Sequence, residues 1–222
     1  YYYFIISKNV FLKRGMSYMK KALLLLSILV IPVVTTACIN NFAVQELNNK
    51  AMTFMEQGNY KEAIERLKSS VDLDDSIFET HYNLAVAYTK NEEYLKALEA
   101  YRKAINLKPD FADTYYSIAV TQENLASDLL AGVLVMDEAG NIQKAPEKEL
   151  EDAGKLPDVS SKTSQAAKQL MDEAVKNYRI YLDKSPEAKD AQDVQSRIKD
   201  LETKVSAIAE TNNAGKAPVQ AE

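Results

Sequence analysis

From Leu47 onward the apolar residues fall three and four positions apart, the spacing that stacks side chains along one face of an α-helix. In "QELNNKAMTFMEQ" the stripe is Leu47, Ala51, Phe54 and Met55; in "YKEAIERLKSSVDL" it is Ala63, Ile64, Leu67 and Val71. Two amphipathic helices are predicted, separated by a turn at Gly58 and Asn59. Ser76 and Glu79 stand three apart before the next apolar run and predict a capping box at the start of a third helix.

The phrase is then written again. "NYKEAIERL" returns as "EYLKALEAY", so that Tyr60 and Ala63 recur 34 positions on as Tyr94 and Ala97. The same offset aligns Ala51, Ala85 and Ala119, and pairs Phe54 with Tyr88, Ile64 with Leu98, Leu73 with Leu107, Asp75 with Pro109, and Tyr82 with Tyr116. Small residues at a fixed place let two helix axes approach to about 8–10 Å, and a larger side chain there overpacks. A 34-residue unit with alanine at the crossing, aromatic neighbours and a closing proline resembles the tetratricopeptide repeat. The second copy follows that pattern best, in Leu84, Ala85, Tyr88, Tyr94, Ala97, Tyr101, Ala104 and Pro109. The first copy departs at its end, where Asp75 stands in place of proline, and His81 takes an aromatic position in the second.

A third copy opens with "ADTYYSIAVTQEN" but lacks its second helix where the offset would put it. That helix returns later: Ala174, Tyr178, Tyr181 and Pro186 keep the relative spacing of Ala97, Tyr101, Ala104 and Pro109. The third unit is therefore expected to be split by an insertion, in which "VLVMDEAGNIQKA" suits a small hairpin turning near Gly140 and Asn141 and "EDAGKLPDVSS" suits a loop, functional or disordered. After Pro186, the stripe Val194, Ile198, Leu201 and Val205 predicts one more helix, which caps the open end. The expected fold class is all-α, a short solenoid of about three helix-turn-helix repeats with a C-terminal capping helix.

The front of the chain is different in kind. Lys20 and Lys21 precede "ALLLLSILVIPVV", an apolar run too short for the roughly 20 residues of a membrane-crossing helix and interrupted by Pro32. The only cysteine, Cys38, follows the small residues of "VTTAC", which resembles the lipobox of bacterial lipoproteins. That resemblance implies acylation of Cys38 and cleavage before it; a small buried thiol after an ordinary cleaved signal is the alternative. Acyl chains contribute about 0.8 kcal/mol per buried methylene, so two or three on one residue anchor a soluble body firmly. Residues before Met19, or before Met16, suit neither signal nor domain and are expected to be an extension of other origin. The organisation read from the sequence is thus an extension over 1–18, a signal over 19–37, a linker over 38–43, repeats over 44–77, 78–111 and 112–186 with the insertion near 132–161, a capping helix over 187–210 and a flexible tail over 211–222.

Charge and chemistry narrow the function. No acidic residue precedes Cys38, whereas five basic ones do; without them 22 basic residues face 32 acidic, a balance of −10. An acidic body repels phosphate backbones, and nucleic acid is not an expected partner. His81 is the single histidine and falls on a helix that the repeat already explains, no glycine-rich phosphate loop is present, and acid pairs such as Asp74–Asp75 and Glu92–Glu93 sit at turns and helix starts. No catalytic residue, metal ligand or cofactor is expected.

A binding surface is what the resemblance implies instead. The first helix of each pair would line a concave groove, through Asn48, Met52, Glu56, Tyr82, Val86, Lys90, Tyr116 and Val120, with Tyr82 and Tyr116 equally suited to the core. Some relatives grip a terminal carboxylate with asparagine and cationic groups; Asn49 and Asn83 hold such asparagine slots here, but Met52 and Glu79 stand where the clamp wants polar or cationic groups, so carboxylate capture is not expected. The expected function is that of a membrane-anchored adaptor or assembly scaffold of the bacterial cell envelope, with a protein or peptide in its groove. Ile39 after Cys38 would favour the outer membrane in a cell with two. The alternatives are an accessory subunit of an envelope enzyme and a passive spacer, and the oligomeric state stays open.

Overall fold

The computed structural model describes residues 41–137, 139–145 and 161–214. Seven helices run in order through them: α1 over 41–56, α2 Tyr60–Leu73, α3 Phe78–Lys90, α4 Tyr94–Leu107, α5 Ala112–Leu130, α6 Ser161–Lys184 and α7 Ala191–Ala214. Helices α1–α2, α3–α4 and α5–α6 are consecutive pairs, and α7 packs on α6. The crossing alanines Ala51, Ala85, Ala119, Ala63, Ala97 and Ala174 are all fully buried. The small residues spaced by the repeat thus fall where the helices meet.

Two apolar clusters fill the stack. The first joins Ala51, Ala63, Leu67, Ala85, Ala97 and Tyr101 across the first two pairs; the second joins Ala119, Leu125, Leu129, Ala174, Tyr178, Val194 and Leu201 across α5, α6 and α7. Leu98 packs against both, so the core runs on from pair to pair. Burying such a leucine or valine contributes roughly 1.5–3 kcal/mol, which is why helices of 13 and 14 residues, marginal alone in water, hold here. No helix among the described residues is long and apolar enough to cross a membrane.

The turn between the helices of a pair also repeats. Gly58 and Glu92 stand 34 positions apart and share the left-handed conformation, with φ of 76° and 61°. Glycine enters that region freely, whereas a side chain costs about 1–2 kcal/mol. The glutamate carboxylate accepts an ion pair from Lys144 at 3.0 Å.

The third unit is split, and its halves are lengthened. Helix α5 has 19 residues against 13 in α3, and α6 has 24 against 14 in α4. Ala174, Tyr178 and Tyr181 are buried, as their spacing predicts for the displaced second helix. Part of the insertion is absorbed by these longer helices. Another part is the hairpin of β1, Leu134–Met136, and β2, Ile142–Lys144, paired antiparallel with Val135 opposite Gln143. Its turn is held by Asp137, whose Oδ1 accepts the Asn141 N–H at 2.8 Å, while Gly140 takes φ +89°. Leu134 is buried in the second cluster and pins the hairpin to the stack.

Three details differ from the expectations. No capping box forms between Ser76 and Glu79: the Ser76 N–H and hydroxyl both donate to Asp74 Oδ1, at 2.9 and 2.6 Å. Helix α3 starts at Phe78 behind Ile77, which has no side-chain cap bond, so Glu79 lies one position too early to reach back. Helix α1 is already formed at residue 41, inside the expected linker, and α7 continues to Ala214, inside the expected tail. Cys38, the leader over 1–37 and most of the expected loop "EDAGKLPDVSS" lie outside the described residues.

Candidate functional site

Where α1 and the first turns of α3 diverge, they leave a concavity of about 470 Å³. Six of its lining residues come from α1, namely Asn41, Val44, Gln45, Asn48, Asn49 and Met52, and Ile77, Glu79 and Asn83 come from the start of α3. The α1 residues recur at helical spacing, so one face supplies them all. Val44 is buried, Ile77 half-buried and Met52 42% exposed, giving an apolar base within reach of solvent. Around it stand five amides and one carboxylate, that of Glu79.

Asn48 is the pivot of this face. Its Nδ2 lies 2.9 Å from the Val44 carbonyl oxygen, 2.8 Å from Ser70 Oγ and 2.9 Å from Thr80 Oγ1, tying α1 to α2 and α3. Ser70 and Thr80 are fully buried and 3.3 Å apart, so the three side chains make a closed polar knot. The amide hydrogens of Asn48 are therefore spent inside the protein. Its Oδ1 is buried with no hydrogen-bond partner among the described residues. Nearby, Gln45 Nε2 donates to Asn41 Oδ1 at 3.0 Å. Asn48 thus offers the cleft no amide hydrogen, while the exposed amides of Asn41 and Asn49 stand at its rim.

The eight residues expected in the groove are not brought to one place. Asn48 and Met52 line the concavity, but Asn48 is engaged internally. Tyr82 is half-buried, its ring against Tyr101 and Phe111 with centroids 6.0 and 5.6 Å away, and its hydroxyl 3.2 Å from Ser117 Oγ. Tyr116 is half-buried between Tyr178 and Tyr181, at 5.6 and 5.2 Å. Val86 and Val120 are half-buried beside the first and second cluster respectively. Glu56 and Lys90 are exposed and line none of the clefts described here. Gln45, Asn41, Val44 and Ile77 were not singled out by the sequence. The offset itself was the available signal, since Gln45 stands 34 positions before Glu79 as Asn49 does before Asn83.

A second, smaller cleft of about 270 Å³ lies under the hairpin, between Tyr94, Leu95, Leu125, Leu134 and Ile142, rimmed by Glu92 and Lys144. Tyr94 closes one wall by donating to Asp128 Oδ2 at 2.9 Å; burial first, then this carboxylate, raises its hydroxyl pKa. In the joint of α5, α6 and α7, Tyr178 donates to Glu123 Oε2 at 2.9 Å, and Arg197 pairs with the same oxygen at 3.2 Å. Burial, followed by the Glu123 charge, raises Tyr178, and burial pushes Tyr101 up to about 12. Burial disfavours the charged form of all three, and Tyr94 and Tyr178 serve as structural donors. Among the described residues no group of three or more His, Cys, Asp or Glu side chains is placed to hold a metal ion.

Comparison with known proteins bears on the repeats. Residues 78–111 match the family model described as Tetratricopeptide repeat, and residues 52–92 match that described as TPR repeat. Among curated proteins no relative matches. The first TPR domain of human RPAP3 has a similar fold, with a TM-score of 0.50 at 16% identity over 75% of this chain and 95% of that one. The Arabidopsis OM64 TPR domain gives 0.50 at 14% identity over 72% and 98%. The second TPR domain of human RPAP3, solved in complex with the HSP70 peptide SGPTIEEVD, gives 0.49 at 17% over 72% and 98%. The described chain is an all-α solenoid whose residues 52–111 carry tetratricopeptide repeats.

Proposed function

We propose that this protein is an interaction adaptor that holds a segment of a partner protein in the cleft between α1 and α3, and that it works from a membrane face to which acylated Cys38 anchors it. The observation that carries the binding reading is the cleft itself: an open concavity with an apolar base and a polar rim, larger than the cleft under the hairpin. Tetratricopeptide repeats serve protein–protein interaction as a class, which supports binding over turnover. The anchor rests on the sequence alone, on "VTTAC" after an apolar run. Tethering would raise the effective concentration of the cleft for partners at the same surface, which is where assembly or scaffolding in a bacterial envelope gains from an adaptor.

Two measurements test the two halves. A photo-crosslinking residue at position 52 should capture in intact cells an identifiable protein that the same residue at exposed position 103 on α4 does not, and Asn83→Arg should abolish that capture. Equal capture from both positions would remove the cleft from the function. Labelling with a clickable fatty acid should mark the wild-type protein and not Cys38→Ser; incorporation independent of Cys38 would remove the anchor and leave the cleft untouched. A second reading, an accessory subunit of an envelope enzyme, draws on the hairpin cleft, which the Lys144–Glu92 ion pair ties to the α3–α4 turn. Capture from position 143 in place of 52 would favour it.

A further inference from the structure

We infer that the α1–α3 cleft selects a cationic segment: a lysine or arginine set beside an apolar side chain in an extended stretch of the partner. The inference rests on the peptide-binding reading above and goes further by naming the chemistry recognised. Recognition of an anion gains most from positive charge, and no cationic side chain is among the residues that line the cleft. Asn48 spends its amide hydrogens on Val44 O, Ser70 Oγ and Thr80 Oγ1, and Gln45 donates to Asn41. Of the nine lining residues, Glu79 alone is charged, and it is exposed at the mouth.

The one charge points the other way. The Glu79 carboxylate is exposed in the same lining as Val44, Ile77 and Met52. An ammonium or guanidinium on Glu79 keeps its charge near water, while its alkyl stem and an apolar neighbour lie against the methionine and isoleucine. Methionine adapts its shape to different neighbours, so one apolar identity is not demanded. At longer range the balance of −10 behind the leader draws a basic segment in and turns an acidic one away. The preference at this cleft is therefore opposite in sign to terminal-carboxylate capture.

The test uses the full-length protein in detergent and an array of short peptides with both termini blocked. A central position between two leucines is varied among lysine, arginine, glutamine, norleucine and glutamate. Binding is read by fluorescence anisotropy at about 0.15 M salt, where long-range attraction is largely screened. The lysine and arginine peptides should bind about tenfold more tightly than the glutamate peptide. Glu79→Gln should weaken the cationic peptides about threefold to tenfold and leave the norleucine peptide unchanged. Glu65→Gln on α2, the same charge change away from the cleft, should alter none of them. Glu79→Lys should reverse the order, with thermal melting confirming that the variant is folded. Peptides that bind without charge preference, or a preference that survives Glu79→Gln, would overturn the inference and leave the cleft as a binding site. No binding by any peptide, or binding that Asn83→Arg does not weaken, would overturn the cleft reading and the inference with it.

Discussion

Asn48 offers the sharpest test of how the first helix pair is joined to the second. The sequence puts it in the groove; the structure commits its amide to Ser70 and Thr80. Nδ2 has three acceptors for two hydrogens, so two bonds at a time are strong, each contributing about 1 kcal/mol net. Against this stands the buried Oδ1 without a partner, a cost of about 1 kcal/mol or more that Asn48→Ala would remove. Ser70 and Thr80, 3.3 Å apart, can still bond each other after the truncation. Adding the side-chain packing lost, about one methylene's worth, the expected destabilisation is about 1–2 kcal/mol. A surface contact residue would move stability by less than about 0.5 kcal/mol. Urea denaturation followed by circular dichroism reads the difference as a shift in midpoint at constant slope. The decisive form is a double-mutant cycle with Thr80→Val, where a coupling of about 1 kcal/mol is expected. A coupling under about 0.3 kcal/mol would show that the knot joining α1 to α3 does not act as its geometry requires.

Other perturbations probe other parts of the structure. Ala85→Leu and Ala174→Leu should each cost about 1–3 kcal/mol by overpacking a helix crossing, and an unchanged denaturation midpoint for Ala174→Leu would contradict the split third unit. Gly58→Ala should cost about 1 kcal/mol through the backbone alone, since φ is +76° and an added Cβ meets nothing within 4 Å; a neutral result in the same denaturation assay would refute it. Burial holds the hydroxyl of Tyr101 up to about 12, above the ordinary 10.0. A raised folded-state pKa favours the neutral form, so this contribution is intact below pH 10 and is lost as pH rises towards 12. The urea midpoint should fall across that window and fall less steeply in Tyr101→Phe, whereas a tyrosinate absorbance difference between wild type and Tyr101→Phe with its midpoint near pH 10, in a still-folded protein, would overturn the assignment.

Much of the architecture was legible because helix pairing is written locally. Ala51, Ala85 and Ala119 are buried, as a small residue every 34 positions requires, since only a short side chain lets two helix axes approach so closely. Gly140 and Asn141 marked the hairpin turn, and the spacing of Ala174, Tyr178 and Tyr181 located the displaced helix. The capping box expected at Ser76 does not form, because three-residue spacing cannot tell whether a serine bonds forward to a helix or back to Asp74. That choice turns on one residue of helix register, which the packing of Phe78 against Phe111, with centroids 5.0 Å apart, helps to fix.

The sequence by itself determined which segments are helical, which small residues lie at their crossings and that the third unit is interrupted, because periodicity and side-chain size act within a few turns of chain. The tertiary structure alone decided which polar residues face the cleft and which are consumed inside. Asn48 and Asn49 are neighbours of the same type, yet Asn48 is tied into the interior by hydroxyls 22 and 32 residues away. Hydrogen-bond partners so distant along the chain meet only once the helices have stacked, and the donor balance of the cleft is set at that moment.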